Sequence, residues 1–321
     1  MDKKNIAILM GGLSEERVIS LKSAAFVEEH LSKSKYRSRV IILDEDRWYD
    51  RDSGEEVNRN DFSVQFGGEK ISFDGVYLII HGPPVEDGRI QGYFDLLGIP
   101  HTTCDTFTSA LCFNKQATKH YLKPFGVPMA QSVLLKGGQL PDKEQLKEVG
   151  FPVFVKPNQH GSSFGISRAD DGESLRTSCE FAYEFDEEIL VESYLEGREF
   201  SCGVIQKEGE ILALLPTEII SETEFFDYAA KYEHRSQEIT PADISKAQSD
   251  QCRALSAKIY DLLNCRGMVR IDYILHGGIF TMLEVNTVPG LSPESIIPAQ
   301  ARAMGWSYEE FLDRVVEEMW K

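Results

Sequence analysis

Four residues near the C-terminus, Arg270, Asp272, Glu284 and Asn286, combine a cation, two carboxylates and an amide at spacings that permit convergence. Residues 268–275 alternate apolar and polar side chains, which places Arg270 and Asp272 on one face of an extended segment. Residues 281–288 are β-branched and apolar until Glu284 and Asn286 interrupt them, and Pro289-Gly290 then turns the chain. His276-Gly277-Gly278 between the two segments predicts a β-hairpin. Side chains on a strand alternate, so the acids share a face only if paired residue numbers sum to an even number. A three-residue loop gives such a register, with Arg270 opposite Glu284 and Asp272 opposite Met282. The resulting face is an oxygen-rich cage for hard divalent cations, beside a guanidinium able to hold an anion. The bland alternative is a surface hairpin laced with ion pairs. The turn from Asn286 to Gly290 favours the cage, because ligand chemistry collects on loops at strand ends.

The rest of the chain must position that face. Its 321 residues exceed one ordinary core and imply two or three domains. Thirty-four Lys and Arg against 52 Asp and Glu give a formal charge of -18, which argues against nucleic acid or an anionic membrane as a partner. An anionic ligand would need locally placed cations or metal. Lys3-Lys4-Asn5 runs straight into the first strand, with no signal-peptide pattern and no apolar run long enough to span a bilayer. Six scattered cysteines without a C-x-x-C pair read as reduced thiols in a cytoplasmic protein.

A buried strand over residues 5–10 breaks at Gly11-Gly12, Ser14 caps a helix with Glu15 and Glu16 in its first turn, and a second strand spans 39–43. This βαβ opening lacks G-x-G-x-x-G. Glu16 either complements the helix dipole or awaits an ammonium group. Residues 47–70 are polar, irregular or a small β excursion; a strand over 73–80 ends at His81, itself either a satisfied histidine or a ligand contact. A helix over 91–97 follows, then one over 106–122 that stops before Pro124 and carries Lys115 and Lys119, whose bland reading is a solvated face. Lys156 lies in the apolar strand 151–157, where an unpaired ammonium would be costly. The Gly161-Ser162-Ser163-Phe164-Gly165 loop is no Walker A sequence, yet such a loop can donate N–H groups and hydroxyls to phosphates. Strands are expected at 189–192, 200–205 and 211–215, a lid at 225–240 with Lys231, Tyr232 and His234, and helices at 245–263, 294–304 and from Ser307 onward.

Taken in order, the motifs resemble the D-alanine–D-alanine ligase family of the ATP-grasp superfamily, nearly from end to end. The resemblance rests on Gly11-Gly12-x-Ser14-x-Glu16 with Ser20-Leu21, His81-Gly82 with Glu86-Asp87-Gly88, and Lys156-Pro157 with Gly161-Ser162-Ser163-x-Gly165. It continues through Gly197-Arg198-Glu199, Asp227-Tyr228-x-Ala230-Lys231-Tyr232, Arg270-x-Asp272 and Glu284-x-Asn286-Thr287-x-Pro289-Gly290. It implies an α/β, three-domain ATP-grasp fold: a Rossmann-like substrate domain at 1–103, a central lid domain at 104–190 and a catalytic domain at 191–321.

The implied activity joins two D-alanine molecules through D-alanyl phosphate, for peptidoglycan precursor synthesis, using ATP and two Mg²⁺ or Mn²⁺ ions. By resemblance, Asp272, Glu284 and Asn286 hold the metals, and Lys115, Lys156 and Lys231 contact phosphate together with Ser162 and Ser163. Glu192, Tyr194 and Leu195 take adenine and Glu199 the ribose. Arg270 and the Gly290 N–H form an oxyanion hole, and Glu16 binds the first ammonium. His81 lies near the first carboxylate, Ser295 and Ile296 hold the second, and Ser162 and Tyr232 link to Glu16 on closure. Tyr232 favours the dipeptide over the depsipeptide. The resemblance also implies a homodimer. Pro83-Pro84-Val85 replaces the family's glycine-containing approach to Glu-Asp-Gly, which would alter the substrate subsite. Competing readings are an ATP-grasp ligase with another amine or hydroxyl acceptor, and a nucleotide-binding protein without turnover, which predicts a missing metal ligand.

Overall fold

The structure is a computed structural model that describes residues 2–14, 16–161, 164–221 and 236–321. Ser162, Ser163, Lys231 and Tyr232, with Glu15 and most of the expected lid, lie outside the described residues.

The first sheet contains β1 (Lys4–Gly11), β2 (Tyr36–Leu43) and β3 (Trp48–Asp50); after the small hairpin β4 (Val64–Phe66) and β5 (Glu69–Ile71), β6 (Gly75–Leu78) completes it. Its order is β3-β2-β1-β6, with β1 parallel to β2 and β6. Ile6, Ala7, Ile8 and Leu9 are all fully buried, as a parallel strand covered on both faces requires. Each large side chain there contributes about 1.5–3 kcal/mol by leaving water. β1 ends at Gly11, where φ is +106° and a Cβ would come within 2.4 Å of the Leu43 carbonyl oxygen, so only glycine fits. Helix Arg17–His30 packs on β1, but Ser14 does not cap it: Glu16 takes the N-cap position, and the Ser14 hydroxyl instead donates to the His81 carbonyl (2.9 Å). That bond ties the glycine turn to the loop after β6.

The expected helix over 106–122 is two helices, Thr106–Phe113 and Lys115–Leu122. Asn114 divides them, because its extended backbone ends the first while its side chain accepts from the Ala117 N–H of the second. Asn158 secures the same helix start, accepting from Lys115 N–H (3.2 Å) through its carbonyl and from Gln116 N–H (2.9 Å) through its side chain.

Strands β7 (Ser132–Lys136), β8 (Val153–Pro157), β9 (Ser167–Ala169) and β10 (Glu188–Ser193) form an antiparallel sheet in the order β7-β10-β8-β9. Helices Lys143–Val149 and Gly172–Ala182, both opened by capping boxes, accompany it; Val153, Val155, Ile189, Val191 and Leu175 form its core.

The third sheet comprises β11 (Arg198–Lys207), β12 (Glu210–Ala213), β13 (Thr217–Ser221), β14 (Ser236–Ile239), β15 (Val269–His276) and β16 (Ile279–Asn286), ordered β14-β13-β11-β15-β16 with β12 on β11. β14 occupies residues for which the sequence suggested a lid. Helix Lys246–Leu262 covers this sheet through Cys252, Ile259 and Tyr260, and Ser245 forms its capping box. Helices Ile296–Ala303 and Tyr308–Glu318 turn back to the first sheet: Ile297, Phe311, Leu312 and Val315 share a core with Ile6 and Val27.

The β15–β16 hairpin corrects the expected register. Its loop is Gly277-Gly278, not His276-Gly277-Gly278, since His276 pairs with Ile279; both glycines have positive φ, 56° and 82°, as such a two-residue turn demands. That turn pairs Tyr273 with Met282, an odd sum, which would carry Glu284 to the face opposite Asp272. A β-bulge between Asp272 and Tyr273 absorbs Leu283 and restores an even sum, so Asp272 faces Glu284 and Arg270 faces Asn286. Arg270, Asp272, Glu284 and Asn286 therefore share one face because one residue is left unpaired.

Candidate functional site

A cleft of about 1390 Å³ is lined by all fifteen described candidates: Glu16, His81, Lys115, Lys156, Glu192, Tyr194, Leu195, Glu199, Arg270, Asp272, Glu284, Asn286, Gly290, Ser295 and Ile296. They come from strands of the second and third sheets, from the starts of three helices, and from loops that include the one after β6.

At its centre, Arg270 grips Asp272 through two nitrogens, Nε to Oδ1 at 2.9 Å and Nη2 to Oδ2 at 2.7 Å. Ser201, opposite Asp272 on β11, also donates its hydroxyl to Oδ1. Burial works against the Arg270 charge, but the Asp272 carboxylate more than offsets it and holds the guanidinium above its ordinary pKa. Glu284 Oε2 stands 3.4 Å from Lys115 Nζ, which also donates to the His160 carbonyl (2.7 Å). Asn286 Oδ1 accepts from Val288 N–H (3.0 Å), shaping the turn toward Gly290. Two carboxylates and an amide oxygen are hard donors suited to a divalent cation that takes its other ligands from phosphate and water. Among the described residues no group of three or more His, Cys, Asp or Glu could hold a metal by itself. The donor set fits a metal brought with a polyphosphate rather than a closed protein cage.

One end of the cleft gathers Glu16, His81, Glu86 and Ser295. Gly161 rests directly on Glu16, since a Cβ there would meet Glu16 Oε2 at 2.8 Å. His81 is buried, with Nε2 at 3.2 Å from the Ser23 hydroxyl and Nδ1 at 4.0 Å from Glu86. Ser23 accepts from Leu291 N–H (3.0 Å), so the loop after Gly290 is fastened to the helix that carries Glu16's successors. Ser295 occupies the N-cap of helix Ile296–Ala303, where exposed N–H groups favour a carboxylate. Its hydroxyl accepts from Ser292 N–H (3.0 Å). Glu86, quoted above only as part of a motif, lines the same end; burial first and the charge of Glu16 second push its carboxyl up to about 8.

At the other end, Lys156 on β8 and Glu192 on β10 share a sheet face, and the ammonium sits 2.6 Å from Glu192 Oε2. Lys119 binds Oε1 of the same carboxylate. Lys119 is 7% exposed, which overturns the reading of a solvated face; its spacing from Lys115, one helical turn, was the signal that both point inward. Burial would raise the Glu192 carboxyl, but Lys156 and Lys119 override it and hold it at about 2. The Tyr194 ring lies tilted against Phe154 (5.7 Å between ring centroids), and Arg168 lies over it at 4.8 Å. No helix among the described residues is long and apolar enough to cross a membrane.

Residues 5–104 match the family described as D-ala D-ala ligase N-terminus, and residues 121–317 match D-ala D-ala ligase C-terminus. A D-alanine–D-alanine ligase of Flavobacterium johnsoniae is 46% identical over 318 residues, covering 98% of each chain. One from Phocaeicola vulgatus is 41% identical, covering 98% of this chain and 99% of that one. Among solved structures, the VanG D-Ala:D-Ser ligase from Enterococcus faecalis superposes with a TM-score of 0.88 at 31% identity, over 99% of this chain and 100% of that one. The D-alanyl-alanine synthetase A from Vibrio cholerae gives a TM-score of 0.88 at 26% identity over the whole of both chains.

Proposed function

The chain belongs to the D-alanine–D-alanine ligase family, whose members have the ATP-grasp fold and use ATP with divalent metal ions, and from that premise we propose how its cleft works. It joins two D-alanine molecules to D-alanyl-D-alanine for peptidoglycan precursor synthesis, converting ATP to ADP and inorganic phosphate. The supporting observation is the bulged hairpin, which gathers Arg270, Asp272, Glu284 and Asn286 on one face of a cleft that also holds Glu16 and Ser295.

A carboxylate is inert toward amines, so one carboxylate oxygen of the first D-alanine takes the γ-phosphoryl group and ADP leaves. The amine of the second D-alanine then attacks the acyl carbon, and phosphate departs as the carbon–oxygen bond breaks. Such phosphoryl transfer is chiefly positioning and charge neutralisation. Asp272, Glu284 and Asn286 would hold two Mg²⁺ or Mn²⁺ ions, which when bound neutralise charge on the phosphates. Lys115, Lys156 and Lys231 contact phosphate oxygens with Ser162 and Ser163, while Glu192, Tyr194 and Leu195 surround adenine and Glu199 takes the ribose hydroxyls. Arg270 spends Nε and Nη2 on Asp272, and its Nη1 with the Gly290 N–H serves the oxyanion, each donor contributing ~3–4 kcal/mol. Glu16 binds the first ammonium, His81 lies by the first carboxylate, and Ser295 with the Ile296 N–H takes the second. Ser162 and Tyr232 close over Glu16 and exclude water that would hydrolyse the acyl phosphate.

The reading also includes three domains at 1–103, 104–190 and 191–321; β10 (Glu188–Ser193) crosses the last boundary and keeps residues 191–193 in the middle sheet. It includes a cytoplasmic homodimer without nucleic-acid or membrane partners. The test is ADP release that requires both D-alanine and a divalent metal, with products identified by mass from a panel of D-alanine, D-serine and D-lactate. D-alanyl-D-alanine as the main product is expected. The structural likeness to a D-Ala:D-Ser ligase makes D-serine the informative competitor, and its outrunning D-alanine would overturn the acceptor assignment.

A further inference from the structure

Lys119, Lys156 and Glu192 form a buried group in which two ammonium ions share one carboxylate, each residue being 5–7% exposed. A carboxylate that needs a partner needs only one. Burying a second ammonium costs several kcal/mol unless another anion compensates it. The three residues divide by position: Lys156 and Glu192 line the cleft, whereas Lys119 reaches Glu192 from helix Lys115–Leu122 behind it. One carboxylate oxygen goes to each lysine, Oε1 to Lys119 and Oε2 to Lys156. The group thus carries one excess positive charge, and the cation facing the cleft is Lys156.

We propose that Lys119 is a positioning residue for nucleotide: by occupying one oxygen of Glu192 from behind the cleft, it keeps Lys156 available to phosphate. This rests on the reading of Lys156 as a phosphate contact. With Lys119 gone, Glu192 and Lys156 become a one-to-one pair, and an incoming phosphate must compete with a buried carboxylate for its cation. A nucleoside without phosphate makes no such demand. The charge on Glu192 is the cause, so the effect of losing Lys119 disappears when that charge is also removed.

The experiment titrates ADP with Mg²⁺, and separately adenosine, into the full chain and its Lys119→Met, Lys119→Arg, Lys156→Met, Glu192→Gln and Lys119→Met/Glu192→Gln variants, with thermal melts as the check on folding. Coupling between close buried charges predicts that Lys119→Met weakens ADP roughly tenfold or more. Adenosine affinity stays within about twofold, Lys119→Arg restores most of the ADP affinity, and in the Glu192→Gln background Lys119→Met costs about twofold or less. Unchanged ADP affinity in Lys119→Met overturns the proposal, as does equal loss of ADP and adenosine, which marks a merely structural role. If Lys119→Met does not fold, the double variant and Lys119→Arg decide: an ADP deficit in the double variant beyond that of Glu192→Gln, or no recovery by arginine, overturns it. Wild-type ADP affinity in Lys156→Met instead removes the premise about Lys156, a separate failure.

Discussion

Glu86→Gln should change how stability depends on pH, and the expected size follows from where the carboxyl lies. Burial, then the charge of Glu16, raises its pKa from 4.5 to about 8 in the folded chain. A carboxyl raised on folding binds its proton more tightly in the folded state, so the stability it supplies is complete below pH 4.5 and is lost as pH climbs through about 8. Each pH unit in that interval changes stability by about 1.4 kcal/mol, which sets a ceiling of roughly 5 kcal/mol. Glutamine has the shape of the protonated acid and does not titrate. The variant should therefore match the ligand-free wild type near pH 4.5 and exceed it by about 2–5 kcal/mol at pH 9. Urea denaturation of both proteins at several pH values isolates this contribution together with its coupling to Glu16, because groups that do not interact with Glu86 cancel in the difference. A difference that stays flat within about 1 kcal/mol would refute the claim that this carboxyl folds protonated.

Other perturbations separate the site's parts. Arg270→Met leaves Asp272 buried without its cation and should destabilise the ligand-free chain by about 3–5 kcal/mol in denaturant titrations, with part of the loss recovered on adding divalent metal. Glu284→Gln should melt like wild type yet abolish turnover in a coupled ADP assay, because it removes one of two carboxylates from the metal donor set. Ser295→Ala should raise the KM for the second D-alanine more than that for ATP, read from initial rates with each substrate varied. Tyr232→Phe should shift product from dipeptide toward depsipeptide when D-alanine and D-lactate compete, scored by mass.

How much of this was legible in the sequence depended on whether a residue's partner was close in the chain. β1, β2 and the helix from Lys246 to Leu262 announce themselves through apolar runs, glycine stops and a capping serine. The hairpin was legible, but its register was not. Leu283 is an apolar residue in an apolar strand, and nothing in its type says that it bulges out; the glycine pair sets the turn, and the bulge then corrects the parity. The break at Asn114 was readable in principle, since an asparagine inside an apparent helix can cap a new one. Helices Lys143–Val149 and Gly172–Ala182 are short and their apolar stripes are thin, so periodicity does not reveal them, although Asp142 and Asp171 carry capping signals. The described candidate residues all reach one cleft, yet the places of Glu86 and Lys119 emerge only from burial beside Glu16 and Glu192, contacts across long stretches of chain.

The most direct measurement follows the oxygen atoms. D-alanine carrying heavy oxygen in its carboxylate is incubated with the chain, ATP and Mg²⁺, and the released inorganic phosphate is examined by mass. If a D-alanine carboxylate is phosphorylated before the amine attacks, one labelled oxygen passes to phosphate for each D-alanyl-D-alanine formed. Dipeptide formed with unlabelled phosphate would contradict the account, as would phosphate released without dipeptide.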